Sequence, residues 1–139
     1  MRVLITGCSS GFGLGAARLI ARRGHEVFAT VRNPATATEL RDARDSGLPI
    51  HIEALDVRDG EQARTLMDRI VADGGIDALV NNAGASIFGP VEATSIDQMR
   101  DLMEVNLFGP MRLIQLALPN MRSRRQGRII NVSSLSGDR

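Results

Sequence analysis

Short runs of contiguous apolar residues alternate along this chain with longer stretches whose apolar positions recur at helical spacing. The short runs predict strands over residues 3–6, 26–31, 50–54, 78–81 and 128–132, and their near-continuous Val, Ile and Leu content is that of parallel strands covered on both faces. The amphipathic stretches predict helices over residues 13–23, 35–46, 60–72, 95–105 and 108–124. Gly24, Gly47 and Gly74-Gly75 close the first three helices, and Thr94 or Ser95 is expected to cap the fourth, with Asp97 favourable in its first turn. Gly109-Pro110 is expected to break the fourth helix from the fifth. The alternation reads as an α/β fold with a doubly wound parallel sheet, one domain over residues 1–139.

Composition sharpens that picture mainly by exclusion. Hydrophobic residues make up 43% and charged residues 24%, which suits one buried core and leaves no stretch apolar enough for a membrane span. Formal charge is +1, so no global field recruits nucleic acid or an anionic membrane. The basic run "RSRRQGR" lies at a helix C-terminus, where Arg offsets the dipole, and has no interleaved aromatics to stack bases. The single cysteine, Cys8, excludes an internal disulfide and suits a reducing compartment. The strand-like run "RVLIT" starts at Arg2, so no leader is expected, and a cytoplasmic location follows. No metal site is expected. The chain contains no Tyr and no Lys: all 17 basic residues are Arg.

Chemistry enters at "TGCSSGFG", where Gly7, Gly11 and Gly13 fall directly between a strand and a helix. Glycines suit a tight turn that brings backbone N–H groups and a positive helix end up to a pyrophosphate, and a β-carbon at Gly11 or Gly13 is expected to block that approach. A second register, Gly11-x-Gly13-x-x-Ala16, satisfies the shorter dinucleotide fingerprint. Either register implies a dinucleotide, and the Rossmann precedent with right-handed crossovers gives strand order 3-2-1-4-5. At the end of the second strand, "FATVRNP" offers Arg32 and no acid. A guanidinium binds a 2′-phosphate, whereas an acid would bind the ribose hydroxyl, so NADP(H) is expected in preference to NAD(H).

"TGCSSGFG", "LDVRD", "NNAG", "EVNLFGP" and "GRIINVSS" occur in the order and spacing of the short-chain dehydrogenase/reductase (SDR) family, and the likeness spans all 139 residues. Within it, "TGCSSGFG" with "VFATVRNP" looks most like the branch of 17β-hydroxysteroid and retinol dehydrogenases. The resemblance implies that Gly7, Ser9, Ser10, Gly11, Phe12 and Gly13 form the cofactor loop. It implies that Asp56 and Val57 contact adenine, and that Asn82, Ala83 and Gly84 lie against the ribose and nicotinamide half. Asn81 is expected to stabilise the sheet end. Asn106 would hold a water in a proton relay, and Ser134 would hydrogen-bond the substrate oxygen, with Ser133 on cofactor or backbone.

The resemblance also implies hydride transfer at a carbonyl carbon, with a tyrosine passing the proton and a nearby lysine lowering its pKa. That Y-x-x-x-K motif would fall beyond Ser134, and the 139 residues hold neither residue. The fold is therefore expected to be truncated after its fifth strand. Loss of a positioned acid costs ~10²–10⁴ in rate, roughly 3–5 kcal/mol of barrier. His25, His51 and Cys8 are poor substitutes, the histidines being expected far from Ser134. Three readings stand: an NADP(H)-dependent carbonyl reductase or alcohol dehydrogenase acting on a small molecule, a non-catalytic NADP(H)-binding module, or an inactive remnant. A homo-oligomer through helix 108–124 is expected from its apolar stripe "LIQLALP", and Ile87 and Phe88 are candidates for the substrate wall.

Overall fold

A computed structural model describes residues 1–134. Five parallel strands form one sheet: β1 (Arg2–Ile5), β2 (Glu26–Val31), β3 (Ile50–Ala54), β4 (Ala78–Asn81) and β5 (Arg128–Asn131). Their order is β3-β2-β1-β4-β5, as the sequence predicts for a Rossmann-type sheet. The order reverses between β1 and β4, and ligands bind such sheets at the strand C-termini beside that switch point.

Both faces of the sheet are covered, which is why its central strands are apolar without alternation. On one face Val3, Ile5, Val27, Ala29 and Val80 pack with Leu14, Ala17 and Ala21 of α1 (Gly11–Arg22) and Leu40 and Ala43 of α2 (Thr38–Asp45). On the other, Leu4, Phe28 and Leu79 pack with Leu66, Met67 and Ile70 of α3 (Gly60–Ala72). That second cluster is completed by Leu113, Ala117 and Met121 of the last helix. Among the described residues β5 pairs with β4 alone, and Ile130 is exposed. No helix among the described residues is long and apolar enough to cross a membrane.

Apart from shifts of a residue or two at element ends, two regions depart from the sequence prediction. Residues 35–46 are not one helix: Asn33 caps a 3-10 turn, Pro34–Thr36, and α2 begins only at Thr38. Its side chain accepts from the Ala35 N–H at 3.0 Å, stabilising the turn ahead of the helix. Gly109-Pro110 does not break the chain either. The fourth helix, α4 (Ile96–Met103), runs through a π turn, Glu104–Phe108, into α5 (Gly109–Ser123) without leaving the helical region. Proline lacks the N–H that an α turn needs, and the wider turn ahead of Pro110 absorbs that mismatch while the helix continues. The start of α4 follows expectation, with Ser95 and Gln98 forming a capping box.

Gly109 has a reason other than helix breaking. A β-carbon there would lie 2.9 Å from the Val57 carbonyl oxygen and 3.0 Å from that of Glu104. The glycine lets α5 sit directly on the loop that follows β3.

Candidate functional site

A cavity of about 560 Å³ opens at the C-terminal ends of the strands. Gly7, Ser9 and Ser10 line it from the turn after β1, Arg32 from the end of β2, and Asp56, Val57 and Arg58 from the loop after β3. Asn82, Ala83 and Gly84 line it from the loop after β4, continuing through Ile87, and α4 contributes Gln98, Asp101 and Leu102 from the opposite side. Ten residues singled out in the sequence thus converge on one space: Gly7, Ser9, Ser10, Arg32, Asp56, Val57, Asn82, Ala83, Gly84 and Ile87. Gly11, Phe12, Gly13, Asn106 and Ser134 do not line it. Phe12 is 88% exposed, Ser134 is exposed just past β5, and Phe88 is 94% exposed instead of walling the cavity.

The glycine turn is shaped by the protein's own packing. Gly7 has φ +72°, and a β-carbon on it would meet the Ala83 Cα at 2.8 Å. A β-carbon on Gly13 would lie 2.3 Å from the Gly7 carbonyl oxygen and 2.5 Å from the Asn82 side-chain nitrogen. Gly13 thus has a packing reason of its own to be small: α1 starts directly against the turn. Gly11 has φ +57°, which favours glycine, and beyond its own neighbours in the chain a β-carbon there would meet open space. Ser10 caps α1 without a side-chain hydrogen bond, and no acid occupies the first turn. The positive end of that helix is left open toward an anion.

Thr6, which the motif reading passed over, joins the glycine turn to the fourth strand. Its buried hydroxyl accepts from the backbone N–H groups of Asn82 (3.0 Å) and Ala83 (2.9 Å). The Asn82 side chain donates back to the carbonyls of Thr6 at 2.9 Å and Gly7 at 3.2 Å. Asn82 thus acts on the turn, not toward the open cavity. Asn81 is structural, as expected, donating to the Asn131 side chain at 2.9 Å across β4 and β5.

Asn106 sits in the π turn and binds Ala85 at two points, accepting from its N–H and donating to its carbonyl, each at 2.9 Å. Arg112 does the matching task on the other wall. Its guanidinium donates to the Val57 carbonyl at 2.9 Å and pairs with Glu104 at 3.3 Å. One continuous helical unit therefore holds a loop on each side of the cavity.

Charge concentrates where β2 and β3 end. Arg58 donates to Asp56 through Nε and Nη2, the latter at 2.6 Å, and the Arg58 N–H donates to Asp56 Oδ1 at 3.0 Å. These hydrogen bonds, reinforced by the charges of Arg58 and Arg32, hold the Asp56 carboxyl below its ordinary value against the opposing effect of desolvation. Cys8 is the reverse case: burial pushes its thiol up to about 12, so it is un-ionised at neutral pH and no candidate acid or nucleophile. His51 pairs with Glu26 at 2.9 Å and stacks on Phe28, and the His25 ring lies against the N-terminal amine. Among the described residues no group of three or more His, Cys, Asp or Glu could hold a metal ion. Arg124, from the basic run, pairs with Asp77 at 2.5 Å.

Known proteins resemble this chain in sequence and in fold. The family model described as short chain dehydrogenase matches residues 1–139. Retinol dehydrogenase 8 from Bos taurus is 39% identical over 140 residues, covering 97% of this chain and 45% of that protein. Estradiol 17-beta-dehydrogenase 1 from Rattus norvegicus is 40% identical over 142 residues, covering 97% of this chain and 41% of that protein. A crystal structure of a short-chain dehydrogenase from Streptomyces avermitilis superposes with a TM-score of 0.92 at 37% identity, covering 99% of this chain and 50% of that one. A metagenomic short-chain oxidoreductase in complex with NADP superposes with a TM-score of 0.90 at 31% identity, covering 99% and 62%. The chain spans less than half the length of these two curated relatives. With its sheet order, its glycine turn and a family match over every residue, the chain belongs to the short-chain dehydrogenase family of oxidoreductases.

Proposed function

We propose that residues 1–139 form one dinucleotide-binding domain of an NADP(H)-dependent oxidoreductase that interconverts a carbonyl and an alcohol. The observation that carries this reading is the cavity itself, which has an uncapped helix end on one side and Arg32 at the end of β2 on the other. Those features fit a dinucleotide's pyrophosphate and 2′-phosphate respectively. The NADP complexes of the metagenomic oxidoreductase and of a gluconate 5-dehydrogenase from Burkholderia cenocepacia, similar in fold at TM-scores of 0.90 each, support the same choice.

In this reading the backbone of Gly7 to Gly13 receives the pyrophosphate, Asp56 and Val57 face the adenine, and Ala83 and Gly84 give a flat bed for the nicotinamide-side ribose. The nicotinamide supplies or accepts the hydride. Ser134 offers its hydroxyl to the substrate oxygen. Asn106 holds the Ala85 loop with two of its four hydrogen-bonding positions and keeps the others for a water in the proton relay. The 139 residues contain neither Tyr nor Lys, so in this reading the acid and its lysine come from sequence outside them. The buried Cys8 suits a reducing, cytoplasmic setting.

Intact mass comes first: 15.0 kDa identifies the 139-residue chain, which is then titrated with NADPH and assayed for carbonyl reduction. We expect saturable NADPH binding without turnover, and turnover in a longer form that contains the Tyr and Lys. Full turnover by the 15.0 kDa chain would remove the need for those two residues, and absence of NADPH binding would sink the dinucleotide reading. A non-catalytic NADP(H) module is the second reading, favoured by the cavity being walled without any Tyr or Lys. It predicts no turnover in any natural form of the protein.

A further inference from the structure

Two arginines, not one, stand on the same wall of the cavity. Val31 pairs with Ala54, so Arg32 and the loop carrying Asp56 and Arg58 leave neighbouring strands at the same end of the sheet. We infer that Arg58 is a second cation of the 2′-phosphate subsite and that Asp56 is the residue that positions it. The inference rests on the NADP(H) reading above and extends it to a residue that the strand-end rule does not select.

Arg58 is held in place before any ligand arrives. Its N–H and its guanidinium both donate to Asp56, and Arg112 holds the preceding Val57 carbonyl at 2.9 Å. Asp56 occupies Nε and Nη2, while Nη1 makes no hydrogen bond among the described residues. A guanidinium has five N–H donors in a rigid fork, so one edge can stay on the carboxylate while another serves a phosphate.

Charge balance gives Arg58 its importance. Asp56 and Asp101 both line the cavity. With Arg32 as the only cation there, these carboxylates would leave the wall net negative, and a phosphate carrying about −2 would be repelled. Arg58, which interacts with both carboxylates, offsets that negative charge and leaves Arg32 effective. Among the described residues Arg32 itself makes no ion pair and is exposed. It therefore remains available to the same phosphate.

The test uses the 139-residue chain and two probes that differ only in the phosphate at issue, adenosine 2′,5′-diphosphate and adenosine 5′-monophosphate, titrated calorimetrically. Arg58→Gln is expected to weaken the diphosphate about 10-fold to 100-fold, the range for losing one charge-assisted hydrogen bond, and to leave the monophosphate unchanged. Arg58→Lys should recover part of the loss, because the charge returns without the fork. Unchanged monophosphate binding also reports that the variant is folded. If Arg58→Gln weakens both probes equally, or neither, the assignment of Arg58 is overturned while a selectivity loss in Arg32→Gln leaves the NADP(H) reading standing. If the parent chain binds both probes alike, the NADP(H) reading has failed and this inference fails with it.

Discussion

Gly11 and Gly13 are two residues apart in one motif, yet they answer to different constraints. Gly13 is small because the Gly7 carbonyl and the Asn82 side chain occupy the space of a β-carbon, whereas Gly11 has free space and needs only a positive φ. Gly13→Ala is expected to cost about 3 kcal/mol or more, since backbone atoms cannot easily yield. Gly11→Ala should cost about 1 kcal/mol, the penalty of a left-handed residue. Urea unfolding midpoints of the two variants would decide; a larger loss for Gly11→Ala would refute the packing account. Cys8 supplies a second expectation. Its thiol is raised from 9.0 to about 12 in the folded state, so the unfolded chain releases a proton first as pH rises. Stability is complete below pH 9 and falls between pH 9 and 12, by up to about 1.4 kcal/mol per unit. Cys8→Ala should flatten that slope, and native Cys8 should resist a thiol reagent at pH 8 until the chain unfolds. The strand-to-helix glycine motif and Arg32 were legible at this scale because they are local patterns. Thr6 and Arg112 were not, since each matters through a partner that only the folded chain brings near: Thr6 through Asn82 and Ala83, Arg112 through Val57.

At the scale of elements, the joined α4 and α5 explain how the cavity keeps its shape. Asn106 holds the loop at Ala85 and Arg112 holds the loop at Val57, so the π turn between α4 and α5 ties both walls to one rigid body. Gly109 is the point of closest approach. Gly109→Ala should push α5 away from Val57, destabilise the fold by about 1–3 kcal/mol, and increase amide exchange in residues 55–60 more than in the glycine turn. Equal protection in both segments would show that α5 does not hold that loop. The sequence placed a break here because Gly-Pro usually ends a helix. It could not register that a widened turn lets the helix continue, because the π turn leaves no composition signature of its own. The 3-10 turn at Pro34–Thr36 is a similar case, in which a capped short turn resembles the first turn of the helix it precedes.

For the whole molecule, the apolar surface lies elsewhere than the stripe in "LIQLALP" suggests. Leu113, Ala117 and Met121 of that helix are buried against the sheet and α3. Among the exposed apolar residues, Met99, Met103, Leu107, Phe108 and Met111 follow one another at helical spacing along α4, the π turn and the start of α5. A homo-oligomer through helix 108–124 stays a proposal, and this stripe, which enters that helix at Phe108 and Met111, is the face on which it would pack. Sedimentation of the 139-residue chain should give a mass above 15.0 kDa at micromolar concentration, and Met103→Glu with Leu107→Glu should return it to a monomer. A monomer from the start would refute the contact.

The strands and helices, the fold class and the place of the glycine turn were set by local pattern: runs of buried apolar residues, helical periodicity and glycines at one strand–helix junction. Such features depend on neighbours in sequence, and the steric and burial rules that govern them act over a few residues. The role of each side chain at the cavity came from contacts across the fold. Gly13 packs on Gly7 and Asn82, Asn106 reaches Ala85, and Arg58 shares a wall with Arg32 only because β2 and β3 pair in register. Two positions far apart in the chain can carry one charge balance or one hydrogen bond only when strands and helices have brought them together, and linear spacing does not encode that distance.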